Sequence, residues 1–322
     1  MMTTRLPSIT NVSEQTPLAK TLTVTPPVTP NGTNAAAHQL VAEIRDIHTR
    51  LSELSSLAPS HQVNTLLTRL VNLCVVPYSA EFTTYFFGIS GVEQLCDKLR
   101  PICSEAEGEL EKFHAERMLK ELDTNQEAAP VNILQSFPYY DNYVDLSCLE
   151  ASLINAFASS PPTSIAFIGS GPLPLTSLCF LSQYPAAHIH NIDRDAAALR
   201  LSAALCTKLG FSKRMSFTNE DITHEDPEAK VSWSRSQVVF LAALVGTDTR
   251  SKLEILKDLA ARLQPGCLVV ARSARGMRSV LYPILQLSED LQAIGLDVLA
   301  ELHPWTNVVN SAIVLRVKER RV

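Results

Sequence analysis

The sequence predicts an open α/β sheet of seven strands, preceded by a layer of helices. Three observations carry that prediction. The first is the stretch Ser164–Thr176, SIAFIGSGPLPLT, where an apolar run ends in Gly169-Ser170-Gly171 and a helix is expected to follow at once. Glycines let a backbone turn sharply and approach a ligand, and a proline beside them suits a first helical turn. The second is the alternation, from Ser164 onward, of short apolar runs with amphipathic segments, the pattern of a mostly parallel sheet. The third is the short loop through Pro304 and Asn307 that joins the last two apolar runs. It leaves no room for a crossover helix, so those strands should run antiparallel.

In chain order, residues 1–34 are rich in Thr, Pro, Ser and Asn and have little to bury, so a disordered tail is expected there. Residues 35–159 read as a helical domain of five or six helices. Leu40, Ile44, Ile47, Leu51 and Leu54 form one stripe, and Val63, Leu66, Leu67, Leu70 and Leu73 another. Pro59, Pro77 and Pro101 mark places where helices should end or begin. Residues 160–322 form the sheet domain. Its strands are expected at Ser164–Gly169, His188–Asp193, Met215–Asn219, Gln237–Ala242, Cys267–Arg272, Asp297–Leu302 and Ser311–Val317. Helices should cover Leu173–Ser182, Ala196–Leu209, Arg250–Leu263 and Ser288–Ile294. Five βα units closed by an antiparallel hairpin resemble the Rossmann-type fold of S-adenosylmethionine (SAM)-dependent methyltransferases.

Bulk properties narrow the function. A net charge of -5 argues against a general nucleic-acid grip, which needs a basic surface. No apolar run is long enough to span a bilayer, so no membrane partner is expected. The seven cysteines are scattered singly without a CxxC pair. That pattern suits core packing in a reducing compartment better than a disulfide framework or a zinc site, and a cytoplasmic protein is the default. Nothing supplies a phosphate-binding lysine, so ATP and GTP are poor candidates.

Several residues stand where chemistry would be done. Gly169, Ser170 and Gly171 form the turn at the carboxyl end of the first strand, a binding edge in this kind of sheet. Asp193 ends the second strand, where an acid can accept hydrogen bonds from both ribose hydroxyls of an adenosine; the alternative is that Asp193 or Asp195 caps the next helix. Asp221, after the third strand, faces either an adenine amino group or solvent. Ala242 opens the small, apolar turn after the fourth strand. In the helical half, Glu107, Glu111 and His114 share one side of a helix at i, i+4, i+7. That row reads as a solvated charged face, a metal site lacking a second ligand cluster, or a general base aimed into a cleft. The heptapeptide Phe137-Pro138-Tyr139-Tyr140-Asp141-Asn142-Tyr143 either lines a polar pocket or packs aromatics where helices meet the sheet. Arg272, after the fifth strand, could hold a carboxylate or lie on the surface.

Taken together, AEGELE around Glu107, FPYYDNY from Phe137, FIGSGPLPLTS from Phe167, VVFLAALVG from Val238 and RSARGMRSVLYP from Arg272 resemble the nicotianamine synthase family. They occur in the family's order and cover roughly Leu95 to Pro283. The resemblance implies an enzyme that joins three aminocarboxypropyl groups of SAM into nicotianamine and releases methylthioadenosine. It further implies Glu107 as the base, with Tyr139 orienting the amine and Glu111, Tyr140 and Asn142 near the substrate. Gly169, Ser170, Gly171, Asp193, Asp221 and Ala242 would hold the adenosine part, and Arg272 an amino-acid carboxylate. SAM is then the substrate, and no bound metal is expected. The alternatives are an ordinary SAM methyltransferase, a relative that transfers the same group once in opine-metallophore synthesis, and a SAM-binding scaffold without turnover.

Overall fold

The computed structural model describes residues 30–124, 130–223, 232–246, 248–304 and 306–319. Of the expected tail, residues 1–29 lie outside the described residues. Pro30–Asn34 instead open the first helix, α1 (Pro30–Ser52), with proline at its start, where the missing N–H costs nothing. Next come α2 (His61–Val75) and α3 (Ala80–Gly88), each started by a serine cap. Ser60 Oγ accepts from the Val63 amide and Ser79 Oγ from that of Phe82, both at 3.2 Å. Pro59 and Pro77 sit in the connections, as the sequence predicts. Pro101 does not: it lies inside α4 (Val92–Thr124). An internal proline forfeits a helical hydrogen bond and costs ~3 kcal/mol. Here tertiary contacts on both sides outweigh that cost. Leu99 and Ala106 are buried, and the Arg100 guanidinium donates from Nε and Nη2 to the Ser279 carbonyl at 3.0 and 2.8 Å.

Two shorter elements, α5 (Pro130–Gln135) and α6 (Tyr140–Phe157), complete the helical part before β1 (Ser164–Ile168). Then follow α7 (Leu175–Gln183), β2 (His188–Asp193), α8 (Ala196–Lys208), β3 (Met215–Asn219), β4 (Val238–Leu241), α9 (Thr249–Arg262) and β5 (Leu268–Ser273). After a short 3-10 turn at Gly276–Val280, α10 (Glu289–Ala293), β6 (Leu296–Leu302) and β7 (Ser311–Val317) close the chain. The strands form a single sheet in the order β3-β2-β1-β4-β5-β7-β6. β7 runs antiparallel to both β5 and β6, and the remaining pairs are parallel. One helix starts later than the sequence suggests. α7 begins at Leu175, because Gly171 and Leu173 each precede a proline and are pushed away from helical backbone angles.

Strand side chains alternate between two cores. Val238 and Phe240 face a cluster with Ile165, Phe167, Val270 and Val314, covered by α7, α8 and the later helices of the helical part. Val239 and Leu241 face the other cluster, with Ile313 and Leu315, covered by α9 and by Trp233. A third core lies within the helical part. There Ile44, Leu70, Phe86 and Leu99 surround Met277, Val280 and Leu281 from the turn after β5. Helix α4 belongs to two of these cores: Ala106 packs in the helical core and Ala115 in the sheet core. The stretch between them, Glu107–His114, therefore passes where the two bodies of apolar contacts meet.

Candidate active site

The order β3-β2-β1-β4 reverses direction between β1 and β4, and ligands of such sheets bind in the crevice at the carboxyl ends of those strands. The turn after β1 sits there. Gly169 and Gly171 have φ of +79° and +65°, a region that favours glycine. The Gly169 and Ser170 amides donate to the Ile192 carbonyl at 2.8 and 3.2 Å. Gly171 N–H donates to Asp193 Oδ2 at 2.8 Å, while Asp193 Oδ1 accepts from the Asp195 amide at 3.0 Å. The helix cap falls to Asp195, whose Oδ1 accepts from Ala197 and Ala198. Asp193 instead ties the ends of β1 and β2 together.

The turn after β4 lies against the turn after β1. Ala242 N–H donates to the Ile168 carbonyl at 3.1 Å. A Cβ placed on Gly169 would come within 2.4 Å of Val245 Cγ2 and 3.0 Å of Ala242 Cβ, so the two turns touch through a position that needs glycine. Asp221 follows β3, with Oδ1 accepting from the amide and hydroxyl of Thr223 at 3.0 and 2.6 Å.

From the helical side, α4 turns its acidic row inward. Glu111 Oε1 accepts from the Tyr143 hydroxyl at 2.7 Å, and a Cβ on Gly171 would lie 2.7 Å from Glu111 Oε2. The carboxylate thus rests directly on the glycine turn. One helical turn earlier, Glu107 Oε2 accepts from the Tyr282 hydroxyl at 2.9 Å. Burial pushes the Glu107 carboxyl above its ordinary range, against the Tyr282 hydrogen bond and the Arg272 charge. Burial raises Glu111 to about 8, assisted by the charges of Glu107 and Asp193 and opposed by Tyr143 and Arg272. Both tyrosines are pushed well above the usual phenol range, burial first and the neighbouring carboxylates next. They act as donors toward the acids.

His114, the third member of the row, is buried, its ring edge-on to Phe113 at 5.3 Å and to Phe137 at 5.1 Å. Phe113 on the adjacent face is 46% exposed. Acids turned inward beside an exposed phenylalanine reverse the usual helix pattern, and such reversals mark functional sites.

Of the aromatic heptapeptide, Tyr143 reaches the acidic pair. Tyr139 is 37% exposed at the start of α6, with its ring 6.0 Å from that of Phe137, which in turn meets Tyr143 at 5.9 Å. Tyr140 is half-buried beside the sheet core. Asn142 Nδ2 donates to the Asn307 carbonyl at 2.8 Å, fastening α6 to the loop between β6 and β7. Arg272 is buried, and the carboxylate it holds is a protein group. Its Nε and Nη2 donate to the two Glu150 oxygens at 2.8 and 2.9 Å, and Nη2 also to Thr176 Oγ1 at 3.0 Å. Its guanidinium lies 5.3 Å from the Phe167 ring centroid.

Four residues of this arrangement were not singled out by sequence reasoning. Tyr143 lay inside the recognised heptapeptide, so a signal for it existed. Tyr282 likewise lay inside the RSARGMRSVLYP stretch, whereas Glu150 carries no local signal; their partners lie 175 and 122 residues away. Lys252 reads as an ordinary helix lysine, yet it is fully buried. Among the described residues no group of three or more His, Cys, Asp or Glu is placed to hold a metal ion. No helix among them is long and apolar enough to cross a membrane.

The strand order and the glycine turn at its reversal define the class: an α/β protein of the SAM-dependent methyltransferase-like fold. Solved structures of MtNAS share it. MtNAS in complex with MTA and tNA matches at a TM-score of 0.70 and 20% identity, covering 86% of this chain and 98% of that one. A Glu-to-Gln variant of MtNAS in complex with S-adenosylmethionine matches at 0.68 and 20% identity, covering 87% and 98%. In sequence, "Nicotianamine synthase 2" of Arabidopsis thaliana is 39% identical over 279 residues, 86% of this chain and 83% of the relative. "Nicotianamine synthase" of Solanum lycopersicum is 35% identical over 289 residues, 87% and 84%. The family model described as nicotianamine synthase protein matches residues 33–322. The chain belongs to the nicotianamine synthase family.

Proposed function

We propose that the protein condenses aminocarboxypropyl groups from three SAM molecules into nicotianamine, closing an azetidine ring and releasing three methylthioadenosine. Family membership supports this reading, and one structural observation carries it: an acidic pair on α4, each member held by a tyrosine, with Glu111 resting on the glycine turn. A sulfonium activates all three attached carbons, so the protein selects the reaction by which carbon it places in line with a nucleophile. An ammonium group cannot attack until it loses a proton. A carboxylate poised near the working pH removes it. The leaving thioether is neutral and needs no acid.

In this reading Glu107 takes the proton. Glu111 shares its charge, since two neighbouring acids titrate as a pair that holds one proton over a wide pH range. Tyr139 orients the incoming amine, with Tyr140 and Asn142 beside the substrate. Gly169, Ser170, Gly171, Asp193, Asp221 and Ala242 hold the adenosine part. Arg272, neutralised by Glu150, favours the ionised acids rather than binding a carboxylate of the substrate. The helical segment 35–159 caps the sheet segment 160–322. The unpaired cysteines support a cytoplasmic setting.

The test is mass spectrometry of products made by purified protein from SAM alone. Methylthioadenosine and nicotianamine are expected. S-adenosylhomocysteine with a methylated acceptor would overturn the reading, and dependence on a second amino acid would turn it into a single transfer.

A further inference from the structure

Lys252 lies in the first part of α9, on the far side of the sheet from the acidic pair, and no exposed function accounts for it. Its side chain is fully buried. Nζ donates to the Ala243 and Val245 carbonyls, both at 2.8 Å. Those carbonyls belong to the turn after β4, which contains no helical or strand ladder to hold it. The same lysine shapes the end of that turn. A Cβ on Gly246, whose φ is +79°, would lie 2.7 Å from Lys252 Cγ and 3.0 Å from its backbone nitrogen. Chain and amine are thus fitted to each other along the whole turn. Burying an amine is costly, and here it occurs near a helix N-terminus, where the helix dipole disfavours a cation. A methionine or leucine would fill the volume without that cost. What the amine adds is the pair of hydrogen bonds.

Those bonds act one step further on. Val245, whose carbonyl Lys252 holds, presses Cγ2 against Gly169, the first residue of the glycine turn. We infer that Lys252 is a positioning residue: it clamps the turn after β4, and through Val245 it fixes the glycine turn that receives the nucleoside part of SAM. The last clause rests on the proposed function, whereas the clamp itself does not.

The experiment separates the two. Hydrogen exchange is measured on the ligand-free full chain for wild type, Lys252→Met and Val245→Ala, and SAM affinity by calorimetry on the same samples. Lys252→Met is expected to speed exchange at Ala242 and at Gly169–Gly171 while β5 amides keep wild-type rates. It should also weaken SAM binding about tenfold, the effect of losing hydrogen bonds from a charged or strongly polar donor. Val245→Ala should loosen Gly169–Gly171, and the double variant should weaken SAM no more than the stronger single variant does. Wild-type exchange at the glycine turn in Lys252→Met would overturn the clamp. If Lys252→Met does not fold, wild-type exchange and affinity in Val245→Ala overturn it instead. Faster exchange without a change in SAM affinity would keep the clamp and remove its link to SAM.

Discussion

Glu111 is raised to about 8 because its carboxylate is buried beside another acid, and that shift has a sign that can be checked. A carboxyl that prefers its proton in the folded state binds more protons folded than unfolded between its ordinary value of 4.5 and about 8. Stability of the ligand-free protein should therefore fall as pH rises through that window. Thermal melts of wild type and Glu111→Gln, compared across it, should diverge at the alkaline end, with the variant the more stable. Parallel melting curves would refute the shift. The Tyr143 hydrogen bond opposes it, so Tyr143→Phe should raise the Glu111 carboxyl further and extend the falling window of the pH–stability profile to higher pH. A profile left in place would show that the hydroxyl is a bystander. At this scale the sequence was informative where partners are close along the chain. The i, i+4 spacing of Glu107 and Glu111 was visible as a row, but not its direction. Three readings stay open on spacing alone, and contacts with Tyr143, Tyr282 and Gly171 turn the row inward.

Among elements, α4 and α6 carry the helical part onto the sheet, and the Glu150–Arg272 pair joins α6 to β5 with both side chains almost wholly buried, 0% and 7% exposed. Glu150→Gln would leave the guanidinium charge unpaired in the interior. Breaking such a pair costs about 3–5 kcal/mol. Urea denaturation should show a loss of that order, and a change below about 1 kcal/mol would mean that Thr176 and Phe167 suffice to hold the arginine. Strand positions were legible because buried strands announce themselves as short apolar runs. His188–Asp193, Met215–Asn219 and Ser311–Val317 fall where the sequence put them. Pro101 misled for an equally physical reason. Its local preference is for a helix end, and packing of Leu99 and Ala106 with the Arg100–Ser279 bonds overrides it.

For the whole molecule, the arrangement is one in which two cores meet at Glu107–His114, beside the sheet edge proposed for the nucleoside. SAM should bind across that junction and stabilise the fold by linkage, by about 2.7 kcal/mol at a hundredfold excess over Kd. A melting temperature unmoved by SAM would count against the junction as the site. The overall architecture was readable from alternation of strands and helices and from the missing crossover before β7. What joins the halves was not, because Glu150–Arg272, Tyr282–Glu107 and Arg100–Ser279 span more than a hundred residues each. The central claim is that an acid of α4 removes the ammonium proton at the mouth of the sheet. Turnover of SAM by Glu107→Gln, measured beside SAM affinity, tests it most directly. The account predicts a loss of about 10²–10⁴-fold in rate with affinity little changed. Wild-type turnover in that variant would contradict it.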